Sequence, residues 1–507
     1  MHDVIEARAD FAEVLAEQLR RAPWILISLA AHVLVGCFFW LLARLEPAAP
    51  PPVAPAIITA QNITEDRVDD TPPDELPREE QVSEEPQEEP VVASDDAEQE
   101  AESQQGEEGQ SASYESGQAN FEGAGIGGGR GTRRGGERGG SRAREGSGGR
   151  TTQAGVTEGL QWLALHQDED GHWDADEFDR HCEGAPCVGA GGSLHDVGLT
   201  GLALLAFLGD GHHPNRNTPY RHVVRRGVRW LVEQTAEGGS DDGLIGGRKG
   251  RAFLYDHALA ALALCDAYYL SGQETLREPA QRAVNFVLRA RNPYKAWRYE
   301  APPNGENDSS ITGWMVFVLK TAQQAGLDIE KDALAGALAL FDELSDSATG
   351  RCGYLQRGEA PARTDANRER FPATNSESLT AVALLCRIFL GQRPDEHPIL
   401  EAHADLLSAK PPLWSEQGTT HDFYYWYYAT FALFQMGGER WARWNEKLKS
   451  ALLPSQRRDG HAKGSWDPLD PWGEDGGRIY STAMAVLCLE VYYRYAPVLA
   501  NERGRPR

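Results

Sequence analysis

GLQWLALHQDEDGHW at 159–173, followed after a long turn by DVGLTGLALLAFLG at 196–209, decides the fold of this chain. In the first stretch and the residues before it, Val156, Leu160 and Leu163 recur at helical spacing, so one face is apolar and the other polar. The second stretch is apolar nearly all round. A helix of that kind needs neighbours on every side. The pair reads as a hairpin of one half-exposed and one buried helix.

The pair recurs. Buried-type helices begin DHALAALALCDAYYL at Asp256, DSSITGWMVFVLKTA at Asp308, ESLTAVALLCRIFLG at Glu377, FYYWYYATFALFQMGG at Phe423 and RIYSTAMAVLCLEVYYRY at Arg478. Amphipathic partners precede them, as in YRHVVRRGVRWLVEQ, PAQRAVNFVLRARN, KDALAGALALFDEL and WARWNEKLKSALLPSQ, with a fifth expected within HPILEAHADLLSAK. Gly-rich turns bearing an aromatic residue lie between the two helices, ending for instance at Trp173 and spanning KAWRYE at 295–300 and KGSWDP at 463–468. Internal repetition on this scale marks a repeat architecture. Six hairpins with one fully apolar helix each predict an all-α fold, an α6/α6 toroid with the apolar helices forming the inner ring. A linear helical solenoid is the alternative, and it would show more regular repeats with polar caps.

The stretch 159–173 resembles the QW repeat of terpenoid cyclases and protein prenyltransferase β subunits, and SQRRDGHAKGSWDP at 455–468 is similar to a second copy. The chain more closely resembles membrane-anchored bacterial prenyltransferase/squalene-oxidase repeat proteins. The resemblance covers 151–507 and implies the toroid fold. It does not carry an activity with it. The acidic Asp-x-Asp-Asp run with which the cyclases protonate an alkene is missing from the inner-helix starts, and the Cys-Gly-Glu-Gln run of thioester domains is missing altogether.

Inner helices of a toroid start at one end, so their starts converge. The catalytic candidates there are Asp256, His257 and Asp308, with His257 beside Asp256 as an acid–base or metal-holding pair. Aspartate at a helix start also reads as an N-cap. Tyr255, Trp314, Tyr424, Tyr425, Trp426 and Tyr480 are the ligand-binding candidates, with Trp297 beside them; aromatic faces suit a prenyl chain, a cation or a sugar ring, and core filling is the alternative. The long first turn carries His181, Cys182, Cys187 and His195, ligand types that suit zinc. A Cys182–Cys187 disulfide and free thiols are the other readings of the same pair. Cys265, Cys386 and Cys488 lie in apolar helices and read as packing.

The first third of the chain differs in kind. Residues 24–43, WILISLAAHVLVGCFFWLLA, hold no charged group, and twenty residues span roughly 30 Å, the thickness of a bilayer core. Arg8, Arg20 and Arg21 precede the span, which orients the N-terminus to the cytoplasm. A cleaved signal peptide, ending near Ala54-Pro55-Ala56, is the other reading. Ser28 and His32 share one face of this segment, which with the linker behind it resembles the anchor of TonB-type energy-transducing proteins and implies a proton-channel-type partner. Residues 46–120 then carry 21 acidic groups against Arg67 and Arg78, and hold most of the net charge of −26. That balance excludes nucleic acid as the main partner. A Gly/Arg-rich tract follows to residue 150. Neither part can bury enough apolar surface to order itself. The expected organisation is a cytoplasmic segment 1–22, a transmembrane helix 23–44, a disordered linker 45–152, an extracytoplasmic toroid 153–498 and a disordered tail 499–507. It places the chain in the inner membrane as a single-pass protein facing the periplasm.

Overall fold

The computed structural model describes residues 32–35 and 149–494, except 331, 365, 366, 416 and 417. Contacts divide the chain into Met1–Glu108 and Gly109–Arg507. In the first unit His32–Val35 are helical; the rest of the expected span 23–44, Ser28 included, lies outside the described residues, as do the linker to 148 and the tail. No described helix is long and apolar enough to cross a membrane.

In the second unit the described residues are mostly helical. The helices are α1 (Gly149–Leu165), α2 (Asp196–Gly209), α3 (Arg221–Glu233), α4 (Phe253–Ser271), α5 (Arg277–Arg289), α6 (Ser309–Gln324), α7 (Ala333–Leu344), α8 (Ser378–Phe389), α9 (Ile399–Ser408), α10 (Phe423–Met436), α11 (Gly438–Ser455) and α12 (Gly473–Arg494). Between α7 and α8 a short antiparallel pair, β1 (Ser345–Asp346) and β2 (Arg351–Cys352), sets Ser345 opposite Cys352.

The even-numbered helices close on themselves. α2 packs on α4, α4 on α6, α6 on α8, α8 on α10, α10 on α12, and α12 on α2. Five odd-numbered helices each pack on two ring helices: α3 on α2 and α4, α5 on α4 and α6, α7 on α6 and α8, α9 on α8 and α10, and α1 on α12 and α2; α11 packs on α10 and on its outer neighbours α9 and α1. This arrangement is an α/α toroid. Burial follows it, since α2 buries every residue from Val197 to Gly209 whereas α3 buries only Val224, Gly227, Val228, Trp230 and Leu231. Gly201 lets α2 and α4 meet closely, because a Cβ there would lie 2.6 Å from the Leu259 carbonyl carbon.

The recurrent aromatic turn acts as a brace. The Trp173 amide donates to Thr200 Oγ1 of α2 (3.0 Å), and its indole Nε1 donates to the Leu163 carbonyl at the end of α1 (2.7 Å). Trp297 repeats both bonds with Thr312 (3.4 Å) and Val287 (2.8 Å), and Trp466 with Thr482 (3.2 Å) and Leu452 (2.9 Å). Each indole thus bonds a carbonyl in the last turns of the outer helix while filling the gap between the layers. Gln167 and Gln456 complete the motif by donating to turn carbonyls, Gly171 (2.7 Å) and Gly464 (2.8 Å). Trp297 is therefore a brace between layers, not a ligand-lining residue.

Candidate functional site

The ring helices begin at one end. His195 before α2 meets Asp256 of α4, Ser310 of α6 meets Tyr424 of α10, and the Phe423 amide of α10 meets Asp470 before α12. Below these starts, aromatic side chains of α6 and α10 pack together. Trp314 stacks on Tyr427 with centroids 6.0 Å apart and meets Tyr428 edge-on at 5.2 Å, while Phe317 adds a contact to Tyr428 at 5.3 Å. The Ser310–Tyr424 hydrogen bond (2.8 Å) joins the third ring helix to the fifth across the interior.

Asp308 is the centre of the mouth. It caps α6 through Oδ1, which accepts from the Ile311 amide (2.9 Å). Its side chain is buried, and Oδ2 has no hydrogen-bond partner. Burial pushes its carboxyl up to about 7. Four tyrosines feel this group. Burial first, and then the Asp308 charge, raises Tyr255, Tyr299 and Tyr354, and Tyr424 is raised by the same burial. Tyr299 and Tyr354 join hydroxyl to hydroxyl, and the Tyr255 ring lies 5.7 Å from the Tyr299 ring. Ser309 fixes the Tyr354 loop, its amide donating to the Tyr354 carbonyl (3.2 Å) and its hydroxyl to Gly353 O (2.8 Å). Arg298 lies 5.1 Å from the Tyr299 centroid and 5.7 Å from that of Tyr354. Tyr255, Tyr299 and Tyr354 are half-buried, so the cluster opens at the surface. Sequence reasoning missed Tyr299 and Tyr354. They lie in turns, and the signal was their place beside the Trp297 brace and in GRCGYL.

The other starts are ion pairs and caps. Glu377 is bound by Arg351 (2.6 Å) and Lys410 (2.6 Å), which hold its carboxyl down against the effect of burial. Asp422 pairs with Arg363 (2.7 Å). Asp470 is pushed up to about 7 by burial and by Asp422 beside it, and it accepts from the Phe423 amide (3.0 Å), the Trp472 amide (3.2 Å) and Tyr480 OH (3.4 Å).

Several expectations are corrected. His257 does not pair with Asp256. Its Nδ1 accepts from the Ile245 amide (3.2 Å) and its Nε2 meets Ala283 O (3.2 Å), so both nitrogens brace the fold, and burial lowers the group to about 3. Asp256 instead bonds His195 (3.2 Å), which takes His195 out of the expected zinc set. His181 is held by Asp168 and leaves that set too. Cys182 and Cys187 are free thiols, not a disulfide. They face His166 and His461, and the ligand atoms of all four lie within 4.8 Å of one another. Tyr425 turns outward, its hydroxyl donating to Lys410 O (3.0 Å) and its ring meeting Trp444 of α11. Trp426 packs sideways on His421 and Trp414. Tyr480 approaches Asp470 rather than the Asp308 cluster.

A surface groove of about 790 Å³ at Arg393, Asp395, Glu401 and Arg440 contains none of these residues. Arg440 there is already paired, bonding Glu401 and Asp405, each at 2.6 Å.

Neither protein-family models nor curated proteins match the chain. Among solved structures it is similar to the type II terpene cyclase MstE from Scytonema (12% identity, 68% of this chain and 98% of that one, TM-score 0.45). It is also similar to cellobiose 2-epimerase from Bacillus thermoamylovorans (12%, 68% and 99%, TM-score 0.47) and to a GH76 α-mannanase from Bacteroides thetaiotaomicron (10%, 70% and 98%, TM-score 0.44). The toroid described above rests on the chain's own helix contacts.

Proposed function

We propose that this chain is a membrane-anchored protein of the cell envelope whose six-hairpin toroid binds a glycan at the Asp308–tyrosine mouth. The observation that carries the reading is the unpartnered Oδ2 of a buried Asp308 among tyrosine hydroxyls. A ligand hydroxyl donating to Oδ2 would remove the cost of that orphaned acceptor, and the tyrosine faces would take up the apolar face of a sugar ring. A polar cluster of this kind favours a hydroxyl-rich ligand over a lipid tail or a peptide. The span 23–44 would hold the protein in the inner membrane, and the acidic linker would give the toroid reach on the periplasmic side.

An isoprenoid enzyme is less well supported. A buried acid with a raised pKa, such as Asp308, suits proton donation, but a cyclase needs a chamber for the folded prenyl chain, and Trp314, Tyr427 and Tyr428 pack against one another inside the ring. Coupling to a proton channel through Ser28 and His32 remains part of the proposal for the anchor. A channel subunit should copurify with wild type and not with His32→Ala; equal recovery on both would remove that role.

The test of the glycan reading is calorimetric titration of the purified full chain with cellotetraose and chitotetraose, beside geranylgeranyl diphosphate. We expect a saccharide to bind wild type and to be lost on Asp308→Asn and weakened on Tyr299→Phe. Binding of the diphosphate alone, or saccharide binding indifferent to Asp308→Asn, would overturn it.

A further inference from the structure

The first turn and the last turn of the toroid meet at a cluster that the mouth does not use. His166 follows α1, Cys182 and Cys187 lie in the long turn before α2, and His461 lies in the turn before α12. Their ligand atoms converge within 4.8 Å. We propose that His166, Cys182, Cys187 and His461 bind one Zn²⁺ tetrahedrally and that this ion closes the seam of the ring.

The distances suit zinc. Bond lengths of about 2.3 Å to sulfur and about 2.0–2.1 Å to nitrogen at tetrahedral angles set neighbouring ligand atoms roughly 3.5–3.8 Å apart. His166 Nε2 lies 3.5 Å from Cys182 Sγ and 3.8 Å from Cys187 Sγ. The surroundings are those of a ligand set as well. His166 Nδ1 donates to the Trp162 carbonyl (2.7 Å), which fixes the tautomer and leaves Nε2 with its lone pair facing the sulfurs. The Cys187 amide donates to Cys182 Sγ (3.3 Å), a bond that favours thiolate. The Glu183 amide donates to His461 Nε2 (2.9 Å), which sets the ring against the cysteine loop with its proton on Nδ1, so zinc bound to this imidazole takes the place of that amide contact. On binding, two thiol protons leave to solvent, and two thiolates, two neutral imidazoles and Zn²⁺ form a site of zero net charge. Such a site can be buried without an unpaired ion.

The position gives the ion its role. A toroid made from one chain has a single junction that no loop covers, where the sixth hairpin meets the first. Here α12 packs on α1 and α2. The cysteine loop is already tied to α12, since the Arg478 amide donates to Gly189 O (2.8 Å), Arg478 Nε to Val188 O (2.7 Å), and the Gly192 amide to Asp475 O (2.7 Å). Gly477 has a positive φ of 59°, and a Cβ there would lie 2.5 Å from the Gly191 amide, so the two segments can meet only at glycine. The metal adds a link between ligands 295 residues apart in sequence, from His166 to His461 (461 − 166).

The experiment is metal analysis of the full chain purified without chelator, followed by replacement with Co²⁺. We expect one zinc per chain, and in the cobalt form the intense d–d absorption of tetrahedral geometry with thiolate-to-cobalt charge transfer. Cys182→Ser should remove the charge-transfer contribution of one thiolate. His461→Ala should weaken zinc binding by more than the roughly 10–100-fold that loss of an outer-shell partner costs. His195→Ala, outside the cluster, should keep zinc and spectrum unchanged. Because a ligand variant can misfold, zinc affinity of wild type is also read by competition with a chromophoric chelator, and the thermal midpoint should fall as zinc is withdrawn. A chain without zinc that gives no tetrahedral cobalt spectrum overturns the proposal. So does a mass two hydrogens short of the reduced form, which marks a Cys182–Cys187 disulfide, or zinc that stays on both ligand variants.

Discussion

The first and third hairpins are built on one brace and carry different loads. Trp173 and Trp297 are both fully buried, both donate an indole N–H to an outer-helix carbonyl, and both give their amide to a threonine of the next ring helix. After the first tryptophan the chain inserts residues 174–195, which bring two cysteines to the last hairpin. After the third it passes through 298–307, which set Tyr299 beside Asp308. The brace is common to both hairpins, whereas the turn behind it differs: one brings cysteines beside His461 of the last hairpin, and the other sets a tyrosine at the ring mouth.

Removing the brace should have the largest effect. Trp173→Ala and Trp297→Ala each should cost about 3–5 kcal/mol, the usual loss for a buried tryptophan. Denaturant midpoints of the purified chain check this, and a variant losing under about 1 kcal/mol would show that its indole is dispensable there.

Asp308 sharpens the contrast through pH. Its carboxyl titrates near 7 in the folded chain, and about 3.9 is the value for a free aspartate. The folded state therefore binds the proton more tightly, so its contribution is fully present at pH 4 and is lost as pH rises from about 4 to about 7, by on the order of a few kcal/mol. Asp308→Asn keeps the cap and cannot ionise. Thermal midpoints between pH 5 and 8 should fall less steeply in this variant, and an unchanged slope would deny the group its raised value. Asp470, raised in the same direction, supplies the part of the slope that stays.

Thr200→Val and Thr312→Val should each cost about 1–3 kcal/mol, the penalty for a buried amide left without an acceptor. The loss should be larger at Thr200, where the bond is 3.0 Å against 3.4 Å at Thr312. Equal losses would mean that the two braces are the same in strength as well as in pattern. The smallest effect is expected at Tyr425→Phe, about 1 kcal/mol from its outward hydroxyl bond, with saccharide affinity unchanged. A change in affinity would place Tyr425 in the mouth after all.

The ring was legible in the sequence because burial on every face leaves a plain mark: the thirteen consecutive buried residues in α2 read as an apolar run interrupted only by Thr200. The aromatic turns were legible for a related reason, since a Trp after a Gly-rich turn recurs with the repeat. The site was legible only at its helix starts. Asp308 stood out as a residue at the head of an apolar helix, but Tyr299 and Tyr354 reach it from turns, where no periodicity points a side chain. His257 misled because adjacency in sequence sends successive helical side chains about 100° apart. Asp256 faces His195 while His257 faces Ala283. The cysteines were read as a disulfide, free thiols or zinc ligands, and the two histidines beside them were not singled out. His166 and His461 come from opposite ends of the toroid, and only closure of the ring unites them.

The central claim, that two turns on one brace divide closure from ligand binding, is tested most directly by reading two quantities on the same three proteins. Thermal midpoint at pH 8 and the saccharide-induced shift of that midpoint are measured for the wild type, Cys182→Ser and Asp308→Asn. Division predicts that Cys182→Ser lowers the midpoint and keeps the shift, whereas Asp308→Asn holds or raises the midpoint and loses the shift. Loss of both quantities in either variant would contradict it.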